Sequence, residues 1–331
     1  MIGIKKDMQG RKSMPVEVTS FNQLPAIQLQ NNHYQALIVP QVGANIVRFL
    51  WRDQTQEIAI FREPSSVDAL LKAPFEYGSP LLFPANRIQQ AQFLYDGHTF
   101  YLPQNHTNGD HIHGLLYDAS WSVENIQKTV GMVSVLLNAV QDERISNFAT
   151  GFHFKRVVSL LDVGLKDEFI ITNDSEYTLP FGIAYHTALA VEPSLLSSYK
   201  LYLPILHRVE DDVITRYPTG KLLSLNPYEC ALADKGVGLI NSNIDYLYTA
   251  RQNNPAVLYY PNGKKLSYYV CSKYWYWILN TQKLKKGLLT VEPQSWRSNI
   301  LSEHKGIWAQ NGVLFSRPHT TMSFQSFFSI N

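Results

Sequence analysis

Four separated polar clusters interrupt a chain that otherwise reads as short apolar strands, and each holds side chains able to move a proton or grip a hydroxyl. In residues 179–189 one histidine, His186, stands among unusually small neighbours. Alternation puts Gly182, Ala184, His186, Ala188 and Ala190 on one face and Ile183, Tyr185, Thr187 and Leu189 on the other. A glycine and alanine face leaves open volume around an ionisable ring, enough for a small polar ligand. The same face equally lets a second sheet pack closely over a hydrogen-bonded core histidine. In residues 288–296, Glu292 ends an apolar run directly before Pro293, which keeps residue 292 extended and aims its carboxylate from a stiff backbone. Taken alone, that carboxylate is an ordinary strand-end surface group.

The other two clusters hold ligand-gripping groups. Asn86 and Arg87 lie in Phe83-Pro84-Ala85-Asn86-Arg87-Ile88, where the guanidinium fork and the adjacent amide suit vicinal hydroxyls or a carboxylate, or a structural ion pair. His106, His111 and His113 place three of the ten histidines within eight residues, and His111 and His113 share a face if the segment is extended. Gly109 is only two positions before His111, and the next glutamate, Glu124, comes eleven after His113, a spacing unlike that of β-barrel metal sites. No metal and no other cofactor is expected. There is no Gly-x-Ser-x-Gly elbow, phosphate loop or dinucleotide fingerprint, so cofactor-free acid and base chemistry is the simplest enzymatic option.

The elements that must position these groups are strands. Runs rich in Val, Ile, Tyr, Phe and Thr fall at 36–39, 46–51, 99–102, 130–137, 154–161, 168–172 and 181–191. They continue at 201–206, 257–260, 267–271, 275–279, 288–292 and 321–330, with Asp96-Gly97 and Asn262-Gly263 as turn signals. The fold class expected is all-β, a large antiparallel sandwich. The best short helix is 65–72, begun by Pro64-Ser65-Ser66. Without repeats or linkers, residues 25–331 read as one domain behind a leader, 1–24, expected to be poorly ordered.

Composition narrows the partners. The 331 residues carry a formal net charge of +2, too little field for nucleic acid or an anionic membrane, and no run approaches a membrane span. Lys283, Lys285 and Lys286 read as a solvated turn. Only Cys230 and Cys271 could pair, which fits a reducing compartment and a soluble, cytoplasmic protein. One sequence does not set the oligomeric state.

Taken in order, the clusters resemble the aldose 1-epimerase (galactose mutarotase) family across residues 30–330. The first half of the match is Gly43-Ala44, Gly78-Ser79-Pro80-Leu81-Leu82-Phe83-Pro84 leading into Asn86-Arg87-Ile88, and His113-Gly114 followed by Trp121. The second is Asn173 to Pro180 leading to Gly182-Ile183-Ala184-Tyr185-His186, Pro218-Thr219-Gly220, Ile244-Asp245-Tyr246 and Val291-Glu292-Pro293-Gln294-Ser295-Trp296. The resemblance implies a galactose mutarotase-like β-sandwich that interconverts the anomers of a free aldose. It makes His186 the general acid and Glu292 the general base, on opposite sides of the bond that opens. It puts Arg87, His113 and Asp245 on sugar hydroxyls, with Asn86 supporting.

Thr187-Ala188-Leu189 follows the histidine where the family commonly has proline and an aromatic, and Pro318-His319-Thr320 replaces a common Pro-Gly-Glu turn. Both leave the sugar open. Two other readings stand beside this one. A hexose-6-phosphate 1-epimerase would need a cationic grip, from arginines such as Arg48, Arg144 or Arg297, and a sugar-sensing protein would keep the pocket without turnover.

Overall fold

The strands form because branched and aromatic residues recur at every second position, giving each strand one face to bury. In Phe152–Leu161, for example, Phe152, Phe154, Arg156, Val158 and Leu160 are buried while His153 and Lys155 are exposed. The computed structural model describes residues 16–139, 148–239 and 243–331, and within them two large antiparallel sheets face each other.

The first sheet has nine strands, in the order Trp121–Thr129, Met132–Ala139, Phe152–Leu161, Gly164–Asn173, Thr320–Ile330, Lys265–Val270, Ala256–Tyr259, Lys200–Tyr202 and Val237–Gly238. The second has eight. Its path runs Pro218–Leu223, Ile205–Asp211, Asp245–Ala250, Tyr276–Asn280, Leu288–Gln294, Ala184–Tyr185 and Leu81–Leu82, with Ala188–Ala190 also paired to Leu288–Gln294. Tyr268 joins the layers, its ring 5.5 Å from Trp277 and its hydroxyl 3.0 Å from that of Thr187. A five-stranded meander, from Val16–Phe21 to Glu57–Ala59, packs Phe49 against Phe328 and continues the apolar core, which runs from Ile27 to Ile330.

The expected all-β sandwich is therefore the observed class. The expected helix is Val67–Lys72, with the Ser66 side chain accepting from the Ala69 N–H at its start. Several strand boundaries differ. Pro204, which has no N–H to donate, divides 201–206 between Lys200–Tyr202 and Ile205–Asp211, which lie in different sheets. The leader is ordered where it is described, since Val16–Phe21 pairs with Leu24–Gln30; residues 1–15 lie outside the described residues. Cys230 and Cys271 are both free thiols. No helix among the described residues is long and apolar enough to cross a membrane.

One charge pair crosses the core. Arg156 and Asp167 sit on the inward face of neighbouring strands, fully buried, with Nη2 2.6 Å and Nε 3.0 Å from the two carboxylate oxygens. The remaining donors of the guanidinium reach the facing layer, at 3.0 Å from the Ala44 carbonyl and 3.1 Å from that of Ser79. A buried ion of this kind is tolerable only when its donors are satisfied, and breaking such a pair leaves a lone buried charge. We expect Arg156→Ala to lower unfolding free energy by about 3–5 kcal/mol in urea titrations; a loss below about 1 kcal/mol would contradict this role.

Candidate active site

The Leu288–Gln294 strand is buried along its whole length and lies between Tyr276–Asn280 on one side and two short strands on the other. Ala184 pairs with Gln294 and Ala188 with Thr290, in one register, so His186 falls opposite Glu292. The ladder lapses between those pairs because Pro293, which faces Tyr185 in this register, has no N–H to donate, while the His186 N–H continues the pairing with Leu81–Leu82 at the Pro80 carbonyl, 3.0 Å away. The expected strand 181–191 is thus divided between Leu179–Phe181, Ala184–Tyr185 and Ala188–Ala190.

The two views of the small-residue face each hold at a different position. A Cβ on Gly182 would lie 2.0 Å from the Trp296 ring, so that glycine permits close packing. At His186 the neighbouring volume is occupied by the Glu292 carboxyl, with Nε2 3.3 Å from Oε1. The other ring nitrogen and the other carboxyl oxygen are buried and have no hydrogen-bond partner among the described residues.

His113 arrives from the opposite wall. Its backbone is left-handed (φ +64°), its N–H donates to the Asn86 carbonyl at 2.9 Å, and Gly114 follows where a Cβ would sit 2.3 Å from the Phe83 carbonyl. Its ring stands edge-on to His186 with centroids 5.4 Å apart. Phe75 covers both, 4.4 Å from His113 and 5.2 Å from His186.

Electrostatics follow from this apolar cover. Burial, with a small contribution from Lys283, pushes the His186 ring down to about 4, so it is neutral at pH 7. Burial holds His113 well below the ordinary histidine value, aided by His186 and Arg87. The Glu292 carboxyl is pushed well above the carboxylate range by burial and by the Asp245 charge. Burial thus disfavours the charged form of both groups in the His186–Glu292 contact, and each of them can accept a proton.

Arg87 is half-buried, and its guanidinium makes no hydrogen bond to any described side chain, while its charge acts on His113, Asp211 and Tyr217. Asp245 begins the Asp245–Ala250 strand on the same face as Glu292, 3.9 Å from the Arg216 guanidinium. These five residues meet although more than two hundred positions separate Arg87 from Glu292.

Asn86 has a different place. Its amide donates to Gln294 at 3.1 Å and its carbonyl oxygen accepts from Ser298 at 2.9 Å, so it braces the wall instead of offering free groups. The other histidines diverge from His113: His111 is buried against the Pro103 carbonyl at 2.6 Å, and His106 contacts Asn108. Lys283 pairs with Glu76 at 2.6 Å, next to Phe75 in sequence, and so does more than cap a solvated turn. A separate cleft of about 1110 Å³ beside Tyr95, His98, Phe100 and Tyr177 contains none of these groups, and its volume alone supplies no acid or base.

Sequence reasoning missed Phe75. It sits in the turn Pro74–Glu76 after the short helix, where no periodicity tells which way a ring points.

The antiparallel sandwich is that of galactose mutarotase-like proteins. The chain belongs to the aldose 1-epimerase family, whose model matches residues 25–312. Among solved structures, it is similar to a galactose mutarotase-like protein from Clostridium acetobutylicum, with TM-score 0.88 and 22% identity over 96% of this chain and 99% of that one. It is also similar to a galactose 1-epimerase from Lactobacillus acidophilus NCFM, with TM-score 0.76 and 14% identity over 96% and 99%. A putative aldose 1-epimerase from Escherichia coli K12 gives TM-score 0.71 and 15% identity over 92% and 98%.

The His186 value has a direct check. Between pH 6.5 and about 4 the unfolded chain binds a proton at this ring that the folded one refuses, so its contribution to stability is complete above 6.5 and lost as pH falls toward 4. Glu292, shifted upward, acts in the opposite sense. In an NMR titration the His186 ring signals should stay unshifted from pH 8 to 5 and move only near 4; a midpoint near 6.5 would contradict the buried, neutral ring.

Proposed function

We propose that the protein is an aldose 1-epimerase that interconverts the α and β anomers of a free aldose, with His186 as general acid and Glu292 as general base. The observation that carries this reading is the buried 3.3 Å contact between the two groups, with the His113 ring beside them and the charges of Arg87 and Asp245 acting on the cluster. The ring oxygen and the anomeric hydroxyl of a pyranose are borne by one carbon. An acid and a base 3.3 Å apart can therefore each reach one of these two oxygens.

With the sugar bound, the one proton shared by the pair must stand on His186; in the forward half-reaction the imidazolium gives it to the ring oxygen as the Glu292 carboxylate takes the proton of the anomeric hydroxyl. The bond between the anomeric carbon and the ring oxygen breaks and a carbonyl forms. Rotation about the adjacent carbon–carbon bond presents the other carbonyl face, and ring closure reverses both transfers. The number of protons on the pair is the same before and after each half, so one proton shared between two buried groups is sufficient.

Arg87 and His113 would hold hydroxyls on one wall and Asp245 on the other, while Phe75 keeps bulk water from the proton path. Asn86 supports through Gln294 and Ser298. The phosphorylated alternative finds little support in the arginines it would need. Arg48 is paired with Glu63 at 2.5 Å, Arg144 lies outside the described residues, and Arg297 donates Nη2 to Glu303 at 2.5 Å while its buried Nε and Nη1 have no partner among the described residues. The sensing alternative leaves the proton-bearing pair without a task. Two free thiols and a small net charge are in keeping with a soluble, cytoplasmic enzyme whose only required partner is its sugar.

Each positioned acid or base contributes roughly 10²–10⁴ in rate. We therefore expect His186→Asn and Glu292→Gln each to slow anomer exchange, followed by polarimetry, by at least about a hundredfold with an unchanged circular dichroism spectrum. Near wild-type exchange in either folded variant would remove that residue from the mechanism.

A further inference from the structure

We propose that Asp211 is a substrate-binding residue that reads the end of the sugar remote from the anomeric carbon and excludes an anionic group there; the nature of the ligand rests on the proposed function above. Ile205–Asp211 pairs with Asp245–Ala250 through His207 with Thr249 and Arg208 with Tyr248. Continuing that register places Val209 beside Leu247, with which it shares a small apolar cluster, and Asp211 directly opposite Asp245. Two carboxylates opposite each other on one face of a sheet repel, which destabilises the strand pair.

The fold relieves this repulsion only partly. The Asp211 carboxylate is half-buried and makes no hydrogen bond to a described side chain, while Asp245 has one distant partner, Arg216, at 3.9 Å. The charges acting on Asp211 are those of Arg216, Asp245, Arg87 and Arg208, and burial raises its carboxyl above the ordinary value.

The group is also held rigidly. The next residue, Asp212, accepts from the N–H groups of Ile214 and Thr215 and donates its own N–H to the Tyr217 carbonyl, closing a tight turn. Tyr217 then ties that turn to the loop bearing His113, its hydroxyl donating to buried Asp110 at 2.6 Å. A fixed carboxylate, beside a like charge and with its accepting capacity unused, is suited to the hydroxyl donors of a sugar.

Its place in the sheet says which hydroxyls. Ile205–Asp211 is the third strand away from Leu288–Gln294, about 14 Å at the usual strand spacing of ~4.8 Å, so Asp211 faces the far end of a ring whose anomeric carbon lies at Glu292. There Asp211 and Asp245 balance Arg87 and Arg216. No excess positive charge remains for a phosphate.

Calorimetric titration with D-galactose, D-glucose, their 4-deoxy and 6-deoxy analogues and their 6-phosphates, alongside kcat and KM for exchange, tests this in the wild type and Asp211→Asn. The variant should bind at least one parent hexose about tenfold more weakly, with kcat within about twofold, and the deficit should vanish for the one deoxy analogue that lacks the contacted hydroxyl. The 6-phosphate should bind the variant more tightly than the wild type. Unchanged hexose affinity and KM, or an equal deficit with every deoxy analogue, would overturn the contact, and a 6-phosphate weakened like its parent would overturn the exclusion. A wild type that binds sugars without exchanging anomers defeats the proposed function while calorimetry still reads Asp211; one that binds none defeats both.

Discussion

The buried Arg156–Asp167 pair is the constraint from which the position of the acid–base site can be traced. Its guanidinium leaves the nine-stranded sheet and binds the Ser79 carbonyl in the facing layer. The Ser79 hydroxyl lies 3.1 Å from that of Thr187, and the next carbonyl, Pro80, takes the N–H of His186. A chain of three contacts thus runs from a charge pair in the core to the backbone of the residue proposed to protonate the ring oxygen. Thr187 also bonds Tyr268 across the sandwich, so the segment is anchored from both layers. Two apolar residues of similar size would fill the same space at the ion pair but would leave the 44 and 79 carbonyls without donors.

The site depends on burial in a second way. In water a histidine and a glutamate 3.3 Å apart would form an imidazolium–carboxylate pair at neutral pH. Under Phe75, and with the His113 ring alongside, burial disfavours separated charge on the pair. In the proposed reaction the two oxygens on the anomeric carbon would relay a proton between the pair, which would act as acid and base without net gain or loss. Lys283, held by Glu76 next to Phe75, adds a charge that further disfavours imidazolium.

Much of this was legible in the residue order, and the exceptions have physical reasons. His186, Glu292, Arg87, His113 and Asp245 stand at strand ends or beside glycine and proline, where backbone geometry is narrow, and the structure gathers all five on one face or its facing wall. Asn86 was legible as part of the cluster but not as a brace, because its partners Gln294 and Ser298 are distant in sequence. Asp211 was hidden by Asp212, which makes the pair read as an ordinary solvated turn. Trp121–Thr129 was missed as a strand because its outward face is so polar that only Trp121 is buried. The long strand at 181–191 was expected from alternation, but alternation carries no information about Pro293 on the neighbouring strand, which faces Tyr185 and has no N–H to donate.

The central claim is that one proton shared by His186 and Glu292 exchanges sugar anomers. NMR exchange spectroscopy on the wild-type protein with D-galactose and D-glucose, repeated from pH 4 to 8, measures it most directly. The account predicts exchange well above the protein-free rate, steady through neutral pH and falling on an acid limb well below 6.5, because the ring resists protonation until pH approaches 4. Exchange equal to the protein-free rate across that range would contradict it.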